Sequence, residues 1–179
     1  MSAQPHAGHL ALARLSALPR FDEFTVVTQN VDDLHERAGC TNVVHLHGSL
    51  FAPRCMACAA PHHLAADTVA PEPAERIAPP VCHACGGTVR PGVVWFGESL
   101  PEHAWQLAMQ AAARADLMLV VGTSSQVYPA AGLPDEVRQA GGRVAVINPD
   151  EGLRVLPREL LLEATAGAAI PALLAELAG

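Results

Sequence analysis

The sequence predicts an α/β fold: a Rossmann-like parallel sheet with helices on both faces, plus a small inserted module built around four cysteines. Three observations predict it. Apolar, β-branched runs of strand length recur along the chain, and each stops at a cluster of small polar residues. Segments with helical signals separate these runs, the order expected of a parallel sheet covered on both sides. Between about Phe51 and Arg90 large apolar residues become scarce and two C-x-x-C pairs appear.

The elements follow in order. A helical stretch from His9 to Leu18 precedes the strand run Phe24-Thr25-Val26-Val27-Thr28, which stops at Gln29-Asn30. A short helix is predicted from Asp32 to Ala38, and a second strand at Val43-Val44-His45-Leu46 stops at His47-Gly48. Beyond the insert, a helix runs from Pro101 to Ala115 with its proline in the first turn, where the missing N–H does no harm. Leu117 to Val121 ends at Gly122-Thr123-Ser124, Leu133 to Ala140 is helical and closes on Gly141-Gly142, and Val144 to Ile147 ends at Asn148. A last helix is read from Pro171 to Ala178. Ligands of such folds bind outside the carboxyl ends of the strands, and the polar clusters fall there.

Residues 1–50 and 91–179 are thus assigned to a Rossmann-like domain and 51–90 to a metal module. Prolines at 61, 71, 73, 79 and 80 leave the module little material for a core of its own. Cys55-x-x-Cys58 and Cys82-x-x-Cys85 have the spacing by which each pair grips one side of a tetrahedral Zn(II), and Gly86-Gly87 supplies the turn of the second knuckle. A structural zinc contributes on the order of 10 kcal/mol to ordering such a module. Four thiolates also close the coordination shell, so this ion is a staple and not the reaction centre. With four thiols at hand, His62, His63 and His83 read as solvated loop histidines, and Cys40 as a small buried hydrophobe beside Gly39.

Composition narrows the partners. At 179 residues, half of them apolar, the chain suits one domain of ordinary size with an insert. Eleven Lys and Arg against eighteen Asp and Glu give a net charge of -7, the wrong sign for gripping phosphate backbones. The module itself has three arginines, no lysine and no aromatic interleaving, which argues against a nucleic-acid-binding zinc ribbon. No apolar run approaches the roughly 18 to 20 residues of a membrane helix, and the N-terminus has no secretory pattern, so a cytoplasmic protein without a membrane partner is expected.

Thr28-Gln29-Asn30-Val31-Asp32-Asp33-Leu34-His35, then Ala38-Gly39, then Leu46-His47-Gly48-Ser49 resembles the sirtuin pattern T-Q-N-[IV]-D-x-L-H-x-x-A-G followed by L-H-G-S. Arg90-Pro91-Gly92-Val93-Val94-Trp95-Phe96-Gly97-Glu98 is similar to R-P-x-[IV]-V-x-F-G-E, and the stretch from Gly122 to Ala131 to G-T-S-x-x-V-x-P-A-A. Ile147-Asn148-Pro149-Asp150 resembles I-N-x-[ED]. Sirtuins are NAD-dependent protein-lysine deacylases, and the V-V-W-F-G-E wording is similar to the bacterial and mitochondrial type that removes acetyl and acidic acyl groups.

The resemblance implies a site. His47 matches the histidine that takes a proton from a ribose hydroxyl, a task suited to a base with a pKa near 6.5. Asn30 and Asp32 match the residues that hold the nicotinamide amide, and Gln29 one near its ribose. Gly122, Thr123 and Ser124 would face the ADP-ribose portion of NAD, with Asn148 at the adenosine ribose and Ala166 also against the cofactor. Val93, Val94, Trp95, Phe96, Gly97 and Glu98 on one side, and Ser125, Gln126 and Val127 on the other, would pair with an acylated-lysine peptide as a strand between them. Sirtuins open with a strand into G-A-G-x-S and a loop ending in D-F-R; the resemblance here starts at Pro5 to His9, which implies unpaired strand edges and weakened NAD binding. The alternative reading is a catalytically impaired relative acting as a zinc-containing protein-binding module.

Overall fold

The computed structural model describes residues 3–63, 78–150, 152–153, 155–157 and 159–178. Pro71 and Pro73 of the insert lie outside the described residues.

Helix α1 (Ala7–Ser16) starts earlier than the sequence suggests because His6 caps it, its Nδ1 accepting the Gly8 N–H at 3.0 Å. Strand β1 (Val26–Thr28) pairs in parallel with β2 (Val43–His45), Val26 opposite Val43 and Thr28 opposite His45. The strand run expected from Phe24 is therefore shorter by two residues. Between them α2 (Leu34–Ala38) begins two residues later than expected: the Asp32 carboxylate accepts the Leu34 N–H at 3.0 Å, an Asx turn ahead of the helix.

Two strands not foreseen follow. β3 (Gly48–Cys55) and β4 (Val89–Val93) form an antiparallel ribbon from Gly48 opposite Val93 to Cys55 opposite Val89. Then come α3 (Glu102–Arg114), with Pro101 at its N-cap and not inside its first turn, and β5 (Leu117–Val121). A 3-10 turn at Ala130–Gly132 leads into α4 (Leu133–Gln139), followed by β6 (Arg143–Ile147). β7 (Leu160–Leu162), which the sequence did not suggest, adds to β6, giving a parallel ladder of order β5-β6-β7. The last helix, α5 (Ala166–Ala178), corrects the expected start at Pro171: that proline sits inside the helix, five residues from its first.

Strand periodicity explains the layers. Val144 and Val146 of β6 enter a core with Val44, Leu46, Ala108, Ala112 and Val137, on the side of α3 and α4. Ile147 enters a second core with Ala11, Leu15, Ile170 and Leu174, on the side of α1 and α5. A strand buried on both faces is what a helix-covered parallel sheet requires. The parallel strands nevertheless fall into two ladders, β1-β2 and β5-β6-β7. Among the described residues, no helix is long and apolar enough to cross a membrane.

Candidate active site and metal centre

Four strand ends carry the candidate site. After β1, the buried Thr28 hydroxyl accepts the Asn30 N–H at 3.1 Å and turns the chain out of the strand. After β2, the His47 Nδ1 lies 3.0 Å from the Gln29 carbonyl. A carbonyl can only accept, so Nδ1 carries a proton, and in the neutral ring this leaves the lone pair on Nε2, the form a general base needs.

Gln29 in turn reaches across to the other ladder, its Nε2 donating to the Thr123 Oγ1 at 3.4 Å. The buried Asn148, after β6, donates from Nδ2 to the Thr123 carbonyl at 3.0 Å and accepts the Asp150 N–H at 3.0 Å. His47, Gln29, Thr123 and Asn148 are thus joined in one hydrogen-bonded sequence spanning both ladders. Gly122 holds a left-handed φ of 61°, with nothing within 4 Å of where a Cβ would be. The backbone there faces open ground, as close approach by a ligand requires. Asn30 is exposed, with no side-chain partner among the described residues, and Asp32 retains a second carboxylate oxygen beyond its Asx turn. Ala166 opens α5, its carbonyl packed against Gly8.

The position after His47 admits only glycine. Gly48 has φ +73°, and a Cβ on it would meet the Gly92 carbonyl oxygen at 2.0 Å. This contact sets the base of the β3-β4 ribbon directly on the histidine, where Val94 N–H also donates to the His47 carbonyl at 2.8 Å.

The segment after β4 is held by a clamp. Glu98 accepts both from Arg90, at 2.6 and 2.8 Å, and from the Trp95 N–H at 3.1 Å, with Arg54 at 3.6 Å. Arg90 also donates to the Val93 carbonyl at 2.9 Å, and its guanidinium lies 4.2 Å from the Trp95 ring centroid. Trp95 is half-exposed and Phe96 wholly so. The Arg90 bonds, followed by that from Trp95, hold the Glu98 carboxyl below its usual value of 4.5. The tie is therefore complete above that value and is lost as pH falls through the depressed one. In a Trp105→Phe background, Glu98→Gln should shift Trp95 emission to the red and open residues 94–98 to proteolysis; unchanged emission and cleavage would show the loop holds its shape without the clamp.

At the far end of the ribbon the four Sγ atoms of Cys55, Cys58, Cys82 and Cys85 lie within 4.8 Å of one another. The Cys55–Cys85 and Cys58–Cys82 sulfurs are 3.5 and 3.7 Å apart. Tetrahedral Zn(II) with its ordinary sulfur bonds separates its ligands by about 3.8 Å, so the four cysteines could hold that ion. Their acidities diverge. The Cys58 backbone N–H, with further bonds from Ala57 and neighbouring thiols, draws Cys55 down to about 6. For Cys85 the Gly87 N–H also pulls downward, but crowding by Cys58 and Cys55 outweighs it and lifts the thiol to about 12. Four sulfurs so close could all ionise only with a cation among them. His62 and His83 stack on each other, ring centroids 5.3 Å apart, outside this group. Cys40 is buried at the end of α2, and burial raises its thiol.

One contact escaped the sequence reading. His45 approaches the Asn30 carbonyl with Nδ1 at 3.2 Å and the Glu36 carboxylate with Nε2 at 2.7 Å. Its only sequence signal is period two, which puts it on the same side of the strand end as His47.

The Sir2 family model matches residues 1–129. NAD-dependent protein deacylase 1 of Pseudomonas aeruginosa is 52% identical over 175 residues, which are 97% of this chain and 69% of that protein. The NAD-dependent protein deacylase of Mycobacterium tuberculosis is 48% identical over 176 residues, 98% of this chain and 72% of the relative. Among solved structures, a Sir2 homologue–ADP-ribose complex has a TM-score of 0.85 at 44% identity, covering 99% of this chain and 68% of that one. Sir2Tm bound to a propionylated peptide has a TM-score of 0.83 at 32% identity, covering 98% and 72%. The chain thus spans about two thirds of the length of its relatives.

Proposed function

The chain belongs to the Sir2 family, and from that premise we propose that it is an NAD-dependent protein-lysine deacylase of the deacetylase or desuccinylase type, with the His47 Nε2 as its base. The observation that carries this reading is the hydrogen-bonded sequence His47–Gln29–Thr123–Asn148 across four strand ends.

When bound, NAD would supply a ribose carbon to the acyl oxygen as nicotinamide leaves, and with one water consumed the acyl group would end on an ADP-ribose hydroxyl while lysine is freed as its amine. The chain's own residues orient this exchange. Asn30 offers the nicotinamide amide a donor and an acceptor, and Asp32 a second acceptor, groups that fix a planar amide in one orientation. Gln29 lies at the adjoining ribose. Gly122, Thr123 and Ser124 take the ADP-ribose portion, and Asn148 and Ala166 the adenosine side. His47 then removes a ribose hydroxyl proton at Nε2, while its Nδ1–H stays on Gln29.

The acylated peptide pairs by its main chain with Val93 to Glu98 and with Ser125, Gln126 and Val127. Trp95 and Phe96 line the passage for the acyl-lysine, and Glu98 serves by shaping the loop, since its carboxylate is engaged by Arg90. Residues 51–90 form the zinc module and the remainder the Rossmann-like domain. Five unpaired cysteines suit a reducing cytoplasm.

The test incubates zinc-loaded protein with NAD and an acetyl-lysine or succinyl-lysine peptide, following nicotinamide and deacylated peptide by mass spectrometry. Release of nicotinamide that depends on the acyl group supports the deacylase. A folded, zinc-loaded protein that releases none leaves the protein-binding module as the better reading.

A further inference from the structure

We propose that His45, working with Glu36, is a positioning residue for the nicotinamide side of the site, and that it holds Asn30 in place only while both of its ring nitrogens carry protons. The inference rests on the roles given above to Asn30 and His47.

Leu46 is buried, so His45 and His47 project on the opposite side of the chain from it. They hold successive carbonyls of one loop: His47 that of Gln29 at 3.0 Å, His45 that of Asn30 at 3.2 Å. The rings differ on their other side. His45 Nε2 is 2.7 Å from a Glu36 carboxylate oxygen, whereas His47 Nε2 has no such partner among the described residues.

A carbonyl and a carboxylate both accept, so His45 makes both bonds together only as the imidazolium. A neutral ring must turn a lone pair toward one of them. The bond to the carboxylate, being charge-assisted, is the stronger, so the neutral ring keeps its proton on Nε2 and releases Asn30. The His45 side chain is 17% exposed and Glu36 43%, which leaves the pair open to proton exchange.

The other charged groups nearby leave Glu36 to His45. From α2, His35 lies close, and behind it are His9 of α1 and His6, which caps that helix. Burial, the largest influence on each, lowers the basicity of both His9 and His35, so neither competes for the carboxylate at neutral pH. Asp32 of the loop is bonded to Leu34, and Arg37 turns to Asp33, Ala3 and Gln4. The α3 residues packed on the β2 side are Ala104, Trp105, Ala108, Met109 and Ala112, none of them titratable.

Glu36→Gln separates the possibilities. A glutamine amide can donate to the lone pair of a neutral His45 Nε2 while the Nδ1–H remains on Asn30, so this variant should hold the loop without a charged ring. In the wild type, kcat/KM for NAD should fall about fivefold as pH rises and His45 loses a proton, the worth of one hydrogen bond. In Glu36→Gln that fall should vanish, and His45→Ala should show the lower value with no such fall. Histidine side-chain 15N NMR of the ligand-free proteins should show two protonated ring nitrogens on His45 in the wild type below the transition, and Nδ1–H alone in Glu36→Gln above it. An identical alkaline fall in Glu36→Gln, or a His45 ring protonated only on Nε2 throughout, would overturn the proposal. Should the wild type release no nicotinamide with acylated peptide, the deacylase reading fails, and the NMR spectra still decide whether His45 ties Asn30 to Glu36.

Discussion

His47→Ala should lower acyl-lysine turnover by about 10²- to 10⁴-fold, the range lost with a general base. The folded chain should scarcely notice. The substitution removes one hydrogen bond, to the Gln29 carbonyl, worth about 1 kcal/mol. His47→Gln sharpens the test, because its amide can still donate to that carbonyl yet cannot take up a proton. If the 3.0 Å bond served mainly to shape the loop, glutamine would restore turnover. If the Nε2 lone pair does the chemistry, glutamine should be as slow as alanine. Activity within a few-fold of wild type in both variants would remove His47 from the mechanism.

Removal of zinc should have the largest effect on stability. The ribbon tip has a small core of its own, Cys55, Cys82 and Val89 with Ala60 against them, and two of these four belong to the cysteine group that could hold the ion. Binding of a structural zinc contributes on the order of 10 kcal/mol in small modules. If a third of that reaches the rest of the fold, chelation lowers the melting temperature by about 10 °C, at about 3 °C per kcal/mol for a chain of this size. Calorimetry with and without chelator, alongside metal analysis expected to give one zinc per chain, checks both halves. A melting curve indifferent to chelator, or protein purified without zinc, would show that the four sulfurs close the module by other means.

Much of this was legible in the sequence, for identifiable reasons. β5 and β6 were plain because strands buried on both faces read as unbroken apolar runs. β7 was not: Leu160-Leu161-Leu162 sits in a leucine- and glutamate-rich stretch whose periodicity does not separate strand from helix. α1 was entered late because histidine is not among the usual capping residues, although the His6 ring accepts the Gly8 N–H as a serine would. α5 was entered late because a helix interior disfavours proline, yet Pro171 lies inside this one. The clustering of the four cysteines was legible from their spacing, and His47 was singled out by its neighbours Leu46, Gly48 and Ser49. The clamp of Arg90 on Glu98 and Trp95, and the bond of His45 to Glu36, depend on chain reversals that no local pattern encodes.

The division of the parallel strands has a consequence for how ligand and fold depend on each other. Among the described residues no backbone hydrogen bond joins β1-β2 to β5-β6-β7; apart from the shared apolar core, a side-chain hydrogen bond at their carboxyl ends, Gln29 to Thr123 at 3.4 Å, links them. A dinucleotide resting on Asn30 at one end and Asn148 at the other would suture this seam. The free energy of binding then counts directly toward holding the two ladders together, rising with the logarithm of ligand concentration. Occupancy of the site and cooperativity of unfolding become two readings of one equilibrium.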